Sequence, residues 1–215
     1  MIPANEASGN PDAGSKQVFT DAFIRNAHLI LWAGYERLDA AAYHASEEDE
    51  ITGDLASKMN EVLGDSLEPW MRMYQVHDQH PVTPLGGPSS VRRVGKRRSK
   101  IDLQFVANSG SGFHRFSWEA KRLGPGHAIG AYLGPAGMGC FFSGQYSSDC
   151  DFGGMIGYAQ SEDSASWHDI LMKKLGCRVS NPVSQETPQS PLKSVHPRTS
   201  ARKNIAIYHT ILRFN

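Results

Sequence analysis

From Val18 onward, apolar residues recur at steps of three and four. Phe19, Phe23, Ala27, Ile30 and Leu31 fall on one side of a helix beginning there. The same spacing returns at Ile51, Leu55, Met59, Val62 and Leu63, which predicts a second helix from about Glu48 to Leu63, with Gly64 placed to stop it. A short third helix is predicted over Leu67 to Tyr74. The period then drops to two. KIDLQFV and FSWEAKRL read as adjacent β-strands, joined by the turn-forming stretch NSGSG from Asn108 to Gly112. Further on, Ser166 to Leu175 has helical spacing. IAIYHTILRF, from Ile205 to Phe214, is apolar on both faces and predicts an interior last strand.

The stretches between these elements are just as legible. Residues 1–16 are polar and rich in Gly, Asn and Pro and read as a disordered tail, leaving 17–215 as one domain of α/β (α+β) class. Pro81, Pro84 and Pro88 make the region near 78–100 a loop or a ragged first strand. Six glycines in sixteen residues, Gly124 to Gly139, exclude a regular helix there. Pro, Ser and Thr dominate 179–202, predicting a long exposed loop.

Net charge is zero, so global charge makes no case for a nucleic-acid partner, but local charge does. Six of the nine residues from Arg92 to Lys100 are basic, and the run leads directly into the first strand of the hairpin. Arg92, Arg93, Lys96, Arg97, Arg98 and Lys100 are therefore candidate backbone contacts to nucleic acid. Cys140, Cys150 and Cys177 have no CxxC pairing, which argues against a disulfide framework and a thiolate zinc site. His77 and His80 have HxxH spacing but no thiol or HExxH glutamate beside them. A polar N-terminus and the lack of a long apolar run predict a cytoplasmic protein with no secretory signal and no membrane span.

The hairpin carries the chemistry. Glu119 and Lys121 lie two apart, so on a strand both leave one face. With Ala107 roughly opposite Phe113, Asp102 falls level with about residue 118, and a small adjustment or bulge makes it a neighbour of Glu119. Two adjacent carboxylates repel one another, and a divalent cation removes the conflict. Hard oxygen ligands of this kind suit Mg²⁺ or Mn²⁺, and a lysine beside them suits phosphodiester hydrolysis.

Asp102, a hairpin, then Glu119-x-Lys121 resembles the PD-(D/E)xK (restriction-endonuclease-like) nuclease superfamily. The proline usual before the aspartate is replaced by Ile101. The resemblance spans about residues 45 to 215. GMGCFFSGQYS, GGMIGYAQ, SVHPR and IYHTILRF extend it toward small nuclease domains of bacterial anti-phage defence. It implies an α-β-β-β-α-β core, with a central mixed sheet of about four strands flanked by helices. It also implies a Mg²⁺-dependent endonuclease acting on nucleic acid, DNA before RNA. Asp102, Glu119 and Lys121 would be catalytic, with Asp102, Glu119, the carbonyl of Ala120 and a helix-borne Glu48 on the metal.

Other residues are weighed by the same two readings. Glu48 lies in EEDEIT, where acids also complement a helix N-terminus without any catalytic role, and Glu50 is the next choice. Gln145, after the glycine-rich stretch, and His196 with Arg198, in SVHPR, are candidate nucleic-acid contacts. His209 reads as a core histidine, and Phe116 and Trp118 as core residues facing away from Glu119. A non-catalytic module of the same fold, binding nucleic acid or protein, is the rival reading. A partner protein or homo-oligomer is expected to supply activation or specificity.

Overall fold

The computed structural model of the chain describes residues 13–81, 100–109, 112–161, 164–176, 179–180, 191–199 and 203–215. Helix α1 runs Ala13–Tyr35 and α2 runs Glu48–Asp65, so the first helix starts ahead of Val18 and the second continues through Gly64. Their apolar stripes bury Phe23, Ala27, Ile30 and Leu31 on one and Ile51, Leu55, Met59 and Leu63 on the other. At the crossing, Gly34 has no Cβ because one there would lie 2.5 Å from Met59 Cγ. The expected third helix is only a 3₁₀ turn, Pro69–Met73, with Leu67 left exposed before it.

Strands β1 (Tyr74–Pro81), β2 (Lys100–Ser109) and β3 (Gly112–Leu123) form an antiparallel meander. After the short helices α3 (Ile129–Leu133) and α4 (Gly139–Phe142), strand β4 (Phe152–Ala159) pairs parallel to β3. Helix α5 (Ser164–Leu175) follows, then β5 (Val179–Ser180), β6 (Leu192–His196) and β7 (Ile205–Arg213). The result is one mixed seven-stranded sheet, ordered β1-β2-β3-β4-β7-β6-β5. Seven strands replace the expected four or so chiefly because β5 and β6 come from a stretch expected to be loop, while β1 begins ahead of the region expected to be a loop or a ragged first strand. In the stretch 179–202, Leu192, Ser194 and His196 alternate inward, which corrects the expected exposed loop. The last strand is interior, between β4 and β6, as its two apolar faces predict.

Each sheet face has its own core. Helices α1 and α2 cover Leu103, Phe105, Phe116, Trp118, Ile156, Tyr158 and Tyr208. The opposite face gathers Ile101, Leu123, Tyr132, Phe141, Met155 and Leu171. Trp118 is wholly buried because β4 offers Gly154, where a Cβ would meet the indole at 2.1 Å. His28, on α1, packs its ring against Phe116, Trp118 and Tyr208 and finds no hydrogen-bond partner among the described residues. On the other face, Ser194 Oγ lies 2.7 Å from His209 Nε2 and 2.6 Å from His196 Nε2, and His209 Nδ1 is 3.1 Å from the Tyr132 hydroxyl. Among the described residues, no helix is long and apolar enough to cross a membrane.

Candidate functional site

The hairpin register fixes where the acids meet. Asn108 stands opposite Phe113 and Ala107 opposite His114, one residue away from the expected pairing. The same count carried to Leu103–Trp118 makes the next row Asp102–Glu119, with no bulge needed. Successive residues alternate faces, so Asp102, Glu119 and Lys121 share the face opposite Leu103 and Trp118.

At that row the ladder lapses on both sides of β2. Asp78 pairs with Leu103 and His80 with Ile101, but Gln79, at φ +46°, is skipped. Pairing with β3 likewise stops at Leu103–Trp118. Strand β3 therefore continues beyond residue 118 paired to β4 alone, with its other edge open. Two carboxylates take the amides there. Ala120 N donates to Asp102 Oδ2 at 2.8 Å, and Arg122 N donates to Glu48 Oε2 at 3.2 Å. Amides two residues apart point to one side of a strand and lie about 6.7 Å apart. The strand edge itself thus spaces the hairpin acid and the helix acid.

Glu48 reaches this edge from the first turn of α2. Thr52 one turn later donates its hydroxyl to the Glu48 carbonyl at 2.8 Å, and Tyr158 from β4 sits 2.9 Å from the same hydroxyl oxygen. Arg122 ion-pairs with Glu47 at 2.7 Å and donates to Ser46 O at 3.4 Å, and Gln160 donates to the carbonyls of Tyr43 and Ser46 at 2.8 Å each. These bonds fasten the approach to α2 onto the ends of β3 and β4. Arg122 is thereby a clamp, and Gln160, the last residue of GGMIGYAQ, was not singled out in the sequence.

Lys121 occupies the middle of the group. Its Nζ lies 2.9 Å from Glu48 Oε1, 2.8 Å from Glu119 Oε1, 2.6 Å from Ala120 O and 3.9 Å from Asp102 Oδ2. Burial works against the charged amine, but the carboxylates of Glu119 and Glu48 outweigh it and hold Lys121 firmly protonated. Glu119, 5% exposed, is pushed up to about 8 by burial first and the Asp102 charge second, over the opposing pull of Lys121. Asp102 is raised as well, again by burial, against the pull of the Ala120 amide and Lys121. Tyr146 stands near the acids: its hydroxyl donates to Lys100 O at 2.6 Å, and burial with the Glu119 charge nearby raises its pKa.

The oxygen set has spare capacity. Glu119 Oε2 is buried without a hydrogen-bond partner among the described residues, and both acids are held above their ordinary range by confinement. Such a pair fits a hard divalent cation. Among the described residues no group of three or more His, Cys, Asp or Glu is arranged to hold a metal ion. The two oxygens of Glu48 are taken up by Lys121 Nζ and the Arg122 amide.

The remaining expected contacts separate. Arg92, Arg93, Lys96, Arg97 and Arg98 lie outside the described residues, while Lys100 is exposed at the start of β2. Gln145 is exposed in the turn after α4. His196 and Arg198 are corrected: His196 turns inward onto Ser194, and Arg198 is buried with Nη2 donating to Cys150 O. Alternation along β6 points His196 inward, and the ring is the partner that the Ser194 hydroxyl needs inside the fold. No protein-family model, curated protein or solved structure matches the chain.

Proposed function

We propose that this chain is a metal-dependent nuclease of restriction-endonuclease-like fold that hydrolyses phosphodiester bonds. The observation that carries the reading is the gathering of Asp102, Glu119, Glu48 and the Ala120 carbonyl around one ammonium, Lys121. The order of helix α2, antiparallel β1-β2-β3, short helices and parallel β4 also supports it, being the order the resemblance implies.

Asp102 and Glu119 would hold the divalent cation, with the Ala120 carbonyl as the next oxygen. Mg²⁺ or Mn²⁺ bound there would lower the pKa of a coordinated water and offset negative charge on the phosphoryl group. Lys121, being protonated, donates rather than accepts: it orients the attacking water or steadies the charge developing on phosphorus. The proton acceptor is then a carboxylate. Glu48 keeps the Lys121 ammonium aimed and leaves the carboxylate pair to the cation.

A non-catalytic binding module is the second reading, favoured by the Lys121 ammonium already satisfying part of the oxygen set. One experiment separates the two. The purified protein is incubated with plasmid, single-stranded DNA and RNA, with Mg²⁺ and with EDTA, beside Glu119→Ala. Mg²⁺-dependent cleavage of any of the three that Glu119→Ala lacks supports the nuclease, and wild-type inactivity on all three supports the module.

A further inference from the structure

The face bearing Asp102 and Glu119 continues away from them along the meander. Gln75, Val106 and Arg115 form one cross-strand row, and His77, Gln104 and Ser117 form the next; the acids lie one row further on. All belong to one face, with about 6.7 Å between rows. Gln104 donates to Ser117 Oγ at 3.1 Å, and both are buried, as is Val106 in the row before, so the middle row is the floor of a recess. A hollow of about 160 Å³ lies over the Gln104–Ser117 row, walled by His80, Gln104, Arg115, Ser117 and Tyr146. A second, of about 350 Å³, lies farther out among Arg72, Gln75, His77, Val106 and Phe113. Among the described residues lining the two, Asp149 is the one carboxylate, and it is ion-paired with Arg115. Phe113 is 62% exposed on this face, at the hairpin end of β3.

We propose that the outer end of this sheet face, around Phe113, Arg72, Gln75 and His77, binds single-stranded nucleic acid, a base stacked on Phe113 and the backbone leading from there toward the Asp102–Glu119 site. The cations and histidines suit phosphates. An exposed aromatic face suits an unpaired base, whereas the base faces of a duplex are already stacked on each other. Phe113 and Glu119 are six residues apart, about 20 Å along the strand, a span covered by roughly three nucleotides of extended chain. The path into the acids rests on the nuclease reading, but the binding does not.

The test is fluorescence anisotropy with wild-type protein in EDTA, so that nothing is cut. The probes are fluorescein-labelled oligothymidylate and oligouridylate of about 20 nucleotides, longer than a typical single-domain site, and a duplex of equal length. At least one single strand should bind tenfold or more tighter than the duplex. Phe113→Ala should weaken that binding about tenfold, Phe113→Tyr should restore it, and Arg115→Gln should lower the log–log salt slope by about 0.7. Equal or tighter duplex binding, or unchanged affinity in Phe113→Ala, overturns the inference. Mg²⁺-dependent cleavage alongside unchanged Phe113→Ala binding would discard this surface and leave the nuclease standing. Lost binding in that variant with no wild-type cleavage does the reverse.

Discussion

Asp102 and Glu48, one from the hairpin and one from a helix, accept the amide hydrogens of Ala120 and Arg122 on a single edge of β3. Charged acceptors stand where a neighbouring strand would otherwise place carbonyls. Each such bond contributes on the order of 1.5–3 kcal/mol. The site is therefore part of the sheet's own hydrogen bonding, and its variants divide into those that keep the acceptor and those that remove it.

Asp102→Asn keeps an oxygen for the Ala120 amide and removes the charge crowding Glu119. In EDTA it should melt at or above the wild-type temperature. Asp102→Ala leaves the amide unpaired and should cost about 1–3 kcal/mol. Urea denaturation of the three proteins decides the matter, and equal losses in Asn and Ala would place the carboxylate's value elsewhere. Adding Mg²⁺ should raise the melting temperature of wild type but not of Asp102→Asn.

Cleavage should fall by roughly 10²–10³ or more in Asp102→Ala, Glu119→Ala and Lys121→Ala, each with its fold intact. The double variant Asp102→Ala/Glu119→Ala should be no slower than either single one, because the two acids act together. Single-turnover rates on a substrate that wild type cuts provide the comparison. Residual activity in Glu119→Ala near the wild-type rate would reduce the Glu-x-Lys to coincidence.

Glu48 is expected to behave differently from the pair. Glu48→Gln should slow cleavage by about tenfold or more, since Lys121 loses its anionic partner, yet leave Mg²⁺ affinity measured by calorimetry nearly unchanged. A large loss of Mg²⁺ affinity would return Glu48 to the metal.

How much of this was legible in the sequence follows from what each residue depends on. Helices α1 and α2 announced themselves through period, and Asp102, Glu119 and Lys121 through spacing within a hairpin. Strand β6 did not, because its burial pattern rests on Ser194 and His196, polar residues that enter the core through hydrogen bonds to one another and from Ser194 to His209. Residues 74–77 hid the start of a strand for a similar reason: Gln75 and His77 are polar because they alternate away from the α1–α2 core that Tyr74 and Val76 enter. The register, one residue off in the sequence reading, depended on the turn geometry, which composition alone does not set.

Acid should unfold the protein through two buried imidazoles. Burial drives both His28 and His209 from 6.5 down to about 3, so both are neutral in the fold. The unfolded chain binds their protons first, and stability falls as pH drops through that window. Each ring contributes up to about 1.4 kcal/mol per pH unit. His28→Leu also removes ring nitrogens that lack a partner among the described residues, and should be no less stable at neutral pH. Urea midpoints at pH 7 and pH 5 should differ less for His28→Leu than for wild type, and an identical difference would show that His28 is not among the acid triggers.

Gly154→Ala should cost about 1–3 kcal/mol, since its methyl would meet the Trp118 ring and the core on both sides is close-packed. Chemical denaturation measures it. A neutral result would mean that the indole can swing aside.

The parallel pairing of β3 with β4 has a consequence for the chain as it is made. Every residue proposed for the chemistry precedes Arg122, yet β3 beyond Trp118 has no strand partner until Phe152–Ala159 has emerged and crossed over. A ribosome-tethered fragment ending before β4 carries the complete acidic set without the strand that holds it straight. If the chain is the nuclease proposed, its competence waits on β4, and a fragment ending before Phe152 should not cut.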